Sequence, residues 1–468
     1  MTTSNSFAHA LLRRRGVLGF GALSALAVIS SAGCVSAQPA PDAGKSALDG
    51  GRLVVVFLRG AYDGLSAFVP YADRDYYAIR PSIAIPAPDG TAQTAIKLDN
   101  TFALHPALSL LLPLWQQGVL GFVPAAGLPA PNRSHFDAQF QMEIARPGKT
   151  SNAPGWLNQV AELSEKRSHA STDTRAVALG VGEANPAILG GPAPVRLIPH
   201  GQAAERSGVL ANDKTRQALL DLYAGNDNLG KAFRQGASSR MHSAQELSGE
   251  KTAADGRRGM AVRESKHMAE RSLNRDGTPA DSQAQSAQML AASNGAADPV
   301  GLALDAQHLA TLMRNDRTLR LGFLSAGGWD THANQGAVAG QLASRLASLG
   351  QGIVQLRQDF AEPGDVIVVL SEFGRTSAEN GSRGTDHGFG NAMWLLGNRV
   401  AGGRWHGEWT GLARGNLNEG RDLPAHHDYR AALAQVLRAT FALSDSQLAS
   451  VLPNTHWDRR LDRLLKPA

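Results

Sequence analysis

The chain has 468 residues, of which 43% are hydrophobic and 19% charged, a balance that suits a folded globular protein and excludes wholesale disorder. Its formal charge of +5 is not a nucleic-acid signature: Arg13, Arg14 and Arg15 lie in an acid-free stretch of 37 residues, and the remainder is close to neutral. Aromatic residues make up only 6%, whereas Gly (50) and Pro (23) are frequent, so many turns and long loops are expected.

In chain order, residues 1–37 read as a targeting segment. Arg14-Arg15-Gly16-Val17-Leu18 resembles a twin-arginine signal, an address read by export machinery that carries folded proteins. The apolar run from Val17 to Ile29 is too short, and too rich in Ala, Gly and Ser, for a membrane span, so the mature chain is expected to have none. Val35-Ser36-Ala37 has the small-x-small form of a cleavage site, giving a mature start at Gln38. Ser31-Ala32-Gly33-Cys34 is the competing lipoprotein reading, weaker because Ser31 stands where a larger apolar residue is usual. The expected location is periplasmic or extracellular. Cys34 is the only cysteine, so a mature chain has no intrachain disulfide, CxxC zinc site or cysteine nucleophile.

Residues 38–50 form a Pro/Ala/Asp/Gly spacer, and a single domain is expected over 51–468. The run from Arg52 to Leu58 (LVVVFL) predicts a strand buried on both faces. A helical pattern covers His105 to Gln117, a strand Val119 to Val123, a loop Pro124 to Arg133, and a helix starts at Ser134. Further strands are predicted at Ala176 to Leu179, Val195 to Ile198, Leu319 to Leu324, Val366 to Leu370 and Ala392 to Leu396. Helical patterns at Leu302 to Met313, Gln341 to Phe360 and Arg430 to Phe441 separate or follow them. This alternation indicates an α/β fold, a mostly parallel sheet covered on both faces. No aromatic residue lies between Phe233 and Phe323, and the region 236–300 reads as a low-complexity, mobile or loosely helical insertion. Neither a GxxxxGK[ST] phosphate loop nor a GxGxxG after a strand is present.

Ligands of open α/β sheets gather at the carboxyl ends of the strands, so polar residues just after predicted strands are the candidates for chemistry. Asp63, between Gly60 and Gly64, offers a carboxylate to a divalent cation, or simply makes a solvated Asp-Gly turn. In Arg133-Ser134-His135-Phe136-Asp137, Ser134 has the position of a helix N-cap. The same place suits a nucleophilic hydroxyl, with Arg133 as an anion clamp and His135 as ligand or proton donor. Asp330 and His332 in GGWDTH can converge on one metal, using a carboxylate and a neutral imidazole, both good zinc or manganese donors. Glu372 and Arg375 follow the strand ending at Leu370, and Asp386-His387 precedes the strand Ala392 to Leu396; an ordinary Glu372–Arg375 ion pair is the competing reading. His426-His427-Asp428 is a weaker candidate, since Asp428 is placed to cap the last long helix.

The segments LRGAYDGLS (58–66), LHPAL (104–108), RSHFDAQ (133–139), GGWDTH (327–332), SEFGRT (371–376) and GTDHG (384–388) together resemble the exported bacterial proteins of domain-of-unknown-function family 1501. That family is placed with the alkaline-phosphatase-like superfamily, which includes sulfatases and phosphodiesterases. The resemblance implies a three-layer fold with a central, mostly parallel sheet between helices, and a one- or two-metal centre. By position, Asp63 resembles the first metal-binding aspartate and Ser134 stands near the nucleophile. Asp330 and His332 resemble the Asp and His of one metal site, at a closer spacing than the usual Asp-x-x-x-His, and His387 resembles the final metal-binding histidine. Glu372-Phe373 holds the place of an Asp-His pair, which removes one ligand from the second site unless His135 substitutes.

These expectations combine into an exported, metal-dependent hydrolase of phosphate or sulfate esters acting on a small-molecule or glycan substrate. Asp330, His332 and His387 would hold one zinc or manganese ion, Asp63 and Glu372 would stand near a second, and Ser134 would attack while Arg133 or Arg375 neutralises the transferred group. The alternative is a non-catalytic binding or cell-envelope assembly protein on the same fold.

Overall fold

A computed structural model describes residues 51–148, 153–167, 176–183, 185–255 and 280–467. The signal segment, the spacer and the centre of the insertion, 256–279, lie outside the described residues; helices Asn228–Asp255 and Ala280–Ala292 flank that centre. In chain order the strands are β1 Leu53–Leu58, β2 Phe68–Val69, β3 Ile96–Lys97, β4 Ala103–Leu104, β5 Leu120–Gly127, β6 Ala178–Gly182, β7 Val195–Pro199, β8 Leu321–Ala326, β9 Val366–Ser371, β10 Asn391–Leu396, β11 Arg404–Trp405 and β12 His427–Asp428.

The main sheet runs β11-β5-β10-β9-β1-β8-β6-β7, with β12 also paired to β5; β2, β4 and β3 form a small antiparallel sheet of their own. Every pairing in the main sheet is parallel except the two made by β10, which opposes both β9 and β5. The architecture is thus mixed α/β around a large, mostly parallel sheet.

The pleat explains why the central strands read as unbroken apolar runs. Leu53, Val55 and Phe57 of β1 join one core with Val366, Val368 and Leu370 of β9, covered by helices His135–Ile144 and Tyr429–Phe441. Val54, Val56 and Leu58 join a second core with Ile367 and Val369, covered by helices Leu302–Asn315 and Gln341–Asp359. Because alternate side chains enter different cores, neither face of these strands can carry polar residues.

Two local expectations shift. β5 continues to Gly127, through Pro124, where a loop was expected. Its ladder with β10 slips there: Met393 faces Val123 and Asn391 faces Ala126, so two residues on β5 oppose one on β10. A bulge tolerates a proline that cannot donate, and Ala125 takes a positive φ of 49° within it. The helix predicted over His105 to Gln117 is instead a 3-10 turn Pro106–Leu111 followed by a short α-helix Leu112–Gln116. Pro113 lacks the N–H that would continue one ladder through both.

Candidate metal centre

β1, β8 and β9 run parallel and end at Leu58, Ala326 and Ser371, while the reversed β10 begins at the same edge with Asn391. β5 runs with β9 and delivers the chain to that edge as well, leading into helix His135–Ile144. The polar loops after these strands therefore open together. Gly60 lets them approach. Its φ is 111°, and a Cβ there would stand 2.9 Å from the Asp330 backbone nitrogen, while its own N–H donates to Glu372 Oε1 at 2.8 Å. Gly384 plays the same part beside His332, whose carbonyl oxygen would be 2.4 Å from an added Cβ.

Four donor atoms converge in the space so created. His135 Nε2 lies 2.9 Å from His387 Nε2 and 3.4 Å from Asp330 Oδ1. His332 Nε2 lies 3.0 Å from His387 Nε2 and 2.9 Å from Asp330 Oδ1, and His387 Nε2 is 3.2 Å from Asp330 Oδ1. Ligand atoms bound tetrahedrally to zinc at about 2.0–2.1 Å are separated by roughly 3.3 Å. His135, Asp330 and His387, whose ligand atoms all lie within 4.8 Å of one another, fit such an ion, and His332 stands beside them against His387 and Asp330.

The far nitrogens strengthen that fit. His135 Nδ1 is 2.7 Å from the Glu372 carboxylate, His387 Nδ1 is 2.8 Å from the Arg133 carbonyl oxygen, and His332 Nδ1 is 3.0 Å from the Asp386 carboxylate. Each Nδ1 faces a group that only accepts hydrogen bonds and so carries its proton there. With all three rings neutral, the Nε2 lone pairs point at one another and at a carboxylate, an arrangement that repels itself until a proton or a metal cation is placed between them. Metal-bound histidines characteristically have their second nitrogen anchored in this way.

The electrostatics agree. Burial opposes ionisation of Asp330, but hydrogen bonds from His135, His332 and His387 and the Arg375 guanidinium hold its carboxyl well below the usual range. Burial likewise opposes ionisation of Glu372, and His135 and Gln139 hold it low. In the metal-free protein burial lowers the affinity of His135 for a proton, yet its bonds to Asp330 and Glu372 overcome this and raise its pKa to about 9. A cation has to displace that proton to bind.

The site residues expected from sequence fall into three groups. His135, Asp330, His332 and His387 come together as possible ligands. Glu372 and Arg375 stand one layer behind. Glu372 accepts from His135, Gly60, Gln139 Nε2 at 2.9 Å and Ser371 Oγ at 2.8 Å, while the fully buried Arg375 donates to Asp330 Oδ1 at 2.7 Å and to Thr385 Oγ1 at 3.1 Å. Asp63, Ser134 and Arg133 are engaged elsewhere. Asp63 is buried against Arg80, with Nη1 to Oδ2 at 2.6 Å, and also accepts from Ser66 and Gln335; Arg80 holds it below its ordinary pKa against the cost of burial. Ser134 is exposed and caps helix His135–Ile144, accepting from the Asp137 N–H at 3.5 Å. Arg133, one-third exposed, pairs with Glu419 at 2.8 Å and Asp422 at 3.2 Å.

Several supporting residues escaped the sequence reading. Asp386 was visible only as the neighbour of His387, yet it anchors His332. Gln335 accepts from Thr331 and Thr385 while donating to Asp63, which ties the Asp63–Arg80 pair to the Arg375–Asp330 pair. Arg59 is buried with Glu183 and Glu143 and donates to Gln139, which reaches Glu372. No local pattern marks these, because their partners lie far away in sequence. Asp428 caps helix Tyr429–Phe441, and His427 is buried against Asp458 at 2.6 Å.

Among the described residues no helix is long and apolar enough to cross a membrane. No curated protein sequence matches the chain. The family described as protein of unknown function (DUF1501) matches residues 121–452, the stretch that carries all four converging donors, and the chain belongs to that family.

Proposed function

We propose that this chain is an exported, metal-dependent hydrolase of phosphate or sulfate esters, built on an alkaline-phosphatase-like fold and holding one zinc or manganese ion. The observation that carries the reading is the convergence of His135, His332 and His387 Nε2 with Asp330 Oδ1, each imidazole anchored through Nδ1. A mixed sheet with one reversed strand and all four donors at one edge supports the superfamily placement. The twin-arginine-like segment supports export and carriage by the twin-arginine machinery.

Bound there, the ion supplies Lewis acidity that makes an ester phosphorus or sulfur more electrophilic and a neighbouring hydroxyl easier to ionise. Ser134 places an exposed hydroxyl beside His135, at the positive end of a ten-residue helix whose first N–H groups suit an anionic group. Arg375 acts by fixing Asp330, since its side chain is fully buried. Arg133 is the more accessible guanidinium for a substrate oxygen.

The test is elemental mass spectrometry of the exported, cleaved protein purified without added metal. About one zinc or manganese ion per chain, lost in Asp330→Asn, supports the centre and is followed by a screen of phosphate and sulfate esters. A folded wild-type protein that holds neither ion, even after incubation with both, overturns the reading. One feature favours a non-catalytic binding or envelope-assembly protein instead: with His332 as a fourth donor beside His135, Asp330 and His387, protein groups alone would complete a zinc tetrahedron, as in structural sites. A metal-loaded protein that cleaves no ester in the screen selects that alternative.

A further inference from the structure

His135, Asp330 and His387 form the compact ligand group and His332 offers a fourth donor against two of them; an ion held by all four would have no open position, whereas hydrolysis needs one. The surroundings of the four donors are unequal, and the inequality points to which would leave. Resting on the metal-centre reading above, we infer that His332 is an exchangeable ligand, yielding its position to a substrate oxygen while His135, Asp330 and His387 stay in place.

The three permanent ligands are held by buried or main-chain structure. His135 sits on the first turn of a helix, and its Nδ1 partner Glu372 is fully buried and takes three other hydrogen bonds. Asp330 is gripped by the fully buried Arg375. His387 is anchored by a backbone carbonyl, its main chain forms a β-bridge with Arg375, and its carbonyl oxygen accepts from Arg421 Nη2 at 2.6 Å. These donors, His135, Asp330 and His387, form a compact group with all ligand atoms within 4.8 Å of one another.

His332 is held from the solvent side. Its ring anchor, Asp386, is 52% exposed, so the bond between them is screened by water and contributes little rigidity. Asp386 is steadied in turn by Asn380 Nδ2 at 2.9 Å, and the same Asn380 amide donates to the His332 carbonyl at 2.9 Å. The following residues, Ala333 to Gly340, form an irregular loop rather than a strand or helix. Release of the His332 ring therefore breaks one exposed hydrogen bond. Release of His135 or His387 disturbs a buried carboxylate or a main-chain contact.

The experiment compares zinc binding to the wild-type chain and to His332→Ala, His387→Ala and His135→Ala, by chelator competition and by elemental analysis after dialysis, with circular dichroism to confirm folding. His332→Ala is expected to keep about one ion per chain with an affinity reduced roughly 10–100-fold. His387→Ala and His135→Ala are expected to lose the ion in the same dialysis. In the cobalt(II)-loaded wild type, inorganic phosphate is expected to shift the visible spectrum toward that of cobalt-loaded His332→Ala. The inference is overturned if folded His332→Ala empties as completely as His387→Ala, or if phosphate leaves the wild-type spectrum unchanged. A wild-type chain without metal sinks the underlying centre instead, so the two failures are distinguishable. His332 and His387 are both partly exposed, so their variants are less liable to misfold than His135→Ala; Asp386→Asn gives a milder check, in which zinc is retained and weakened less than in His332→Ala.

Discussion

At the scale of single residues, the two carboxylates expected to stand near a second metal have distinct places. Glu372 points its charge at His135 Nδ1 and makes His135 Nε2 a better donor. Glu372→Gln keeps the volume and removes the charge, so the protein should fold while its zinc affinity falls about 10–100-fold in chelator competition. An unchanged affinity would remove Glu372 from the centre. Asp63 is the buried partner of Arg80, and deleting one charge of such a pair leaves the other uncompensated. Asp63→Asn should lower unfolding free energy by about 3–5 kcal/mol in urea titration without changing the metal content of the folded protein. Loss of metal from a protein of undiminished stability would instead make Asp63 a ligand.

At the scale of elements, the strand edge positions the chemistry and the helices position the strands. Ser134 is at once the N-cap of helix His135–Ile144 and the proposed nucleophile, and the two roles have different signatures. The cap bond is long, 3.5 Å, so Ser134→Ala should cost only about 0.5 kcal/mol, the low end for a capping residue. Ester hydrolysis should nevertheless disappear in that variant; full activity would leave the capping role alone. β10 is the strand whose reversal places His387 on the same edge as Asp330. Leu395 at its centre is completely buried, and Leu395→Ala should destabilise by about 2–5 kcal/mol. A loss below 1 kcal/mol would mean that the core around β10 collapses onto the gap.

For the whole molecule, histidine burial sets the acid side of the stability curve. Burial lowers the pKa of His105, His406 and His427 below 6.5. Below 6.5 the unfolded chain takes up these protons first, so stability falls as pH drops. His200, raised by its hydrogen bond to Asp305, and His135, raised to about 9, work in the other direction: their contribution is complete below 6.5 and is lost as pH rises through their folded values. Between pH 7 and about 5 the three buried histidines therefore dominate, and the metal-free protein should show a falling Tm on acidification. His427→Gln should flatten part of that slope. A Tm that rises toward pH 5 would contradict the burial of all three.

Much of the scaffold was legible before folding. The apolar runs beginning near Leu53, Val366 and Ala392 are strands because a sheet packed on both faces leaves no position for a polar side chain, and composition alone reveals that. Polar residues flanking the predicted strands are likewise the expected place for chemistry, and His135, Asp330 and His387 do meet there, with His332 against His387. What composition and spacing do not contain is which ring nitrogen faces which carboxylate. His135 and His387 lie 252 residues apart, and their contact depends on the reversal of β10 and on the exit of β5 at the same edge. Asp63, Asp330 and Glu372 are chemically alike and all follow strands; only tertiary neighbours separate them, Arg80 neutralising the first, three imidazoles surrounding the second, and His135 Nδ1 meeting the third. Periodicity sets local conformation and burial through nearest neighbours along the chain, whereas a ligand set is assembled by strand order, which only the folded chain decides.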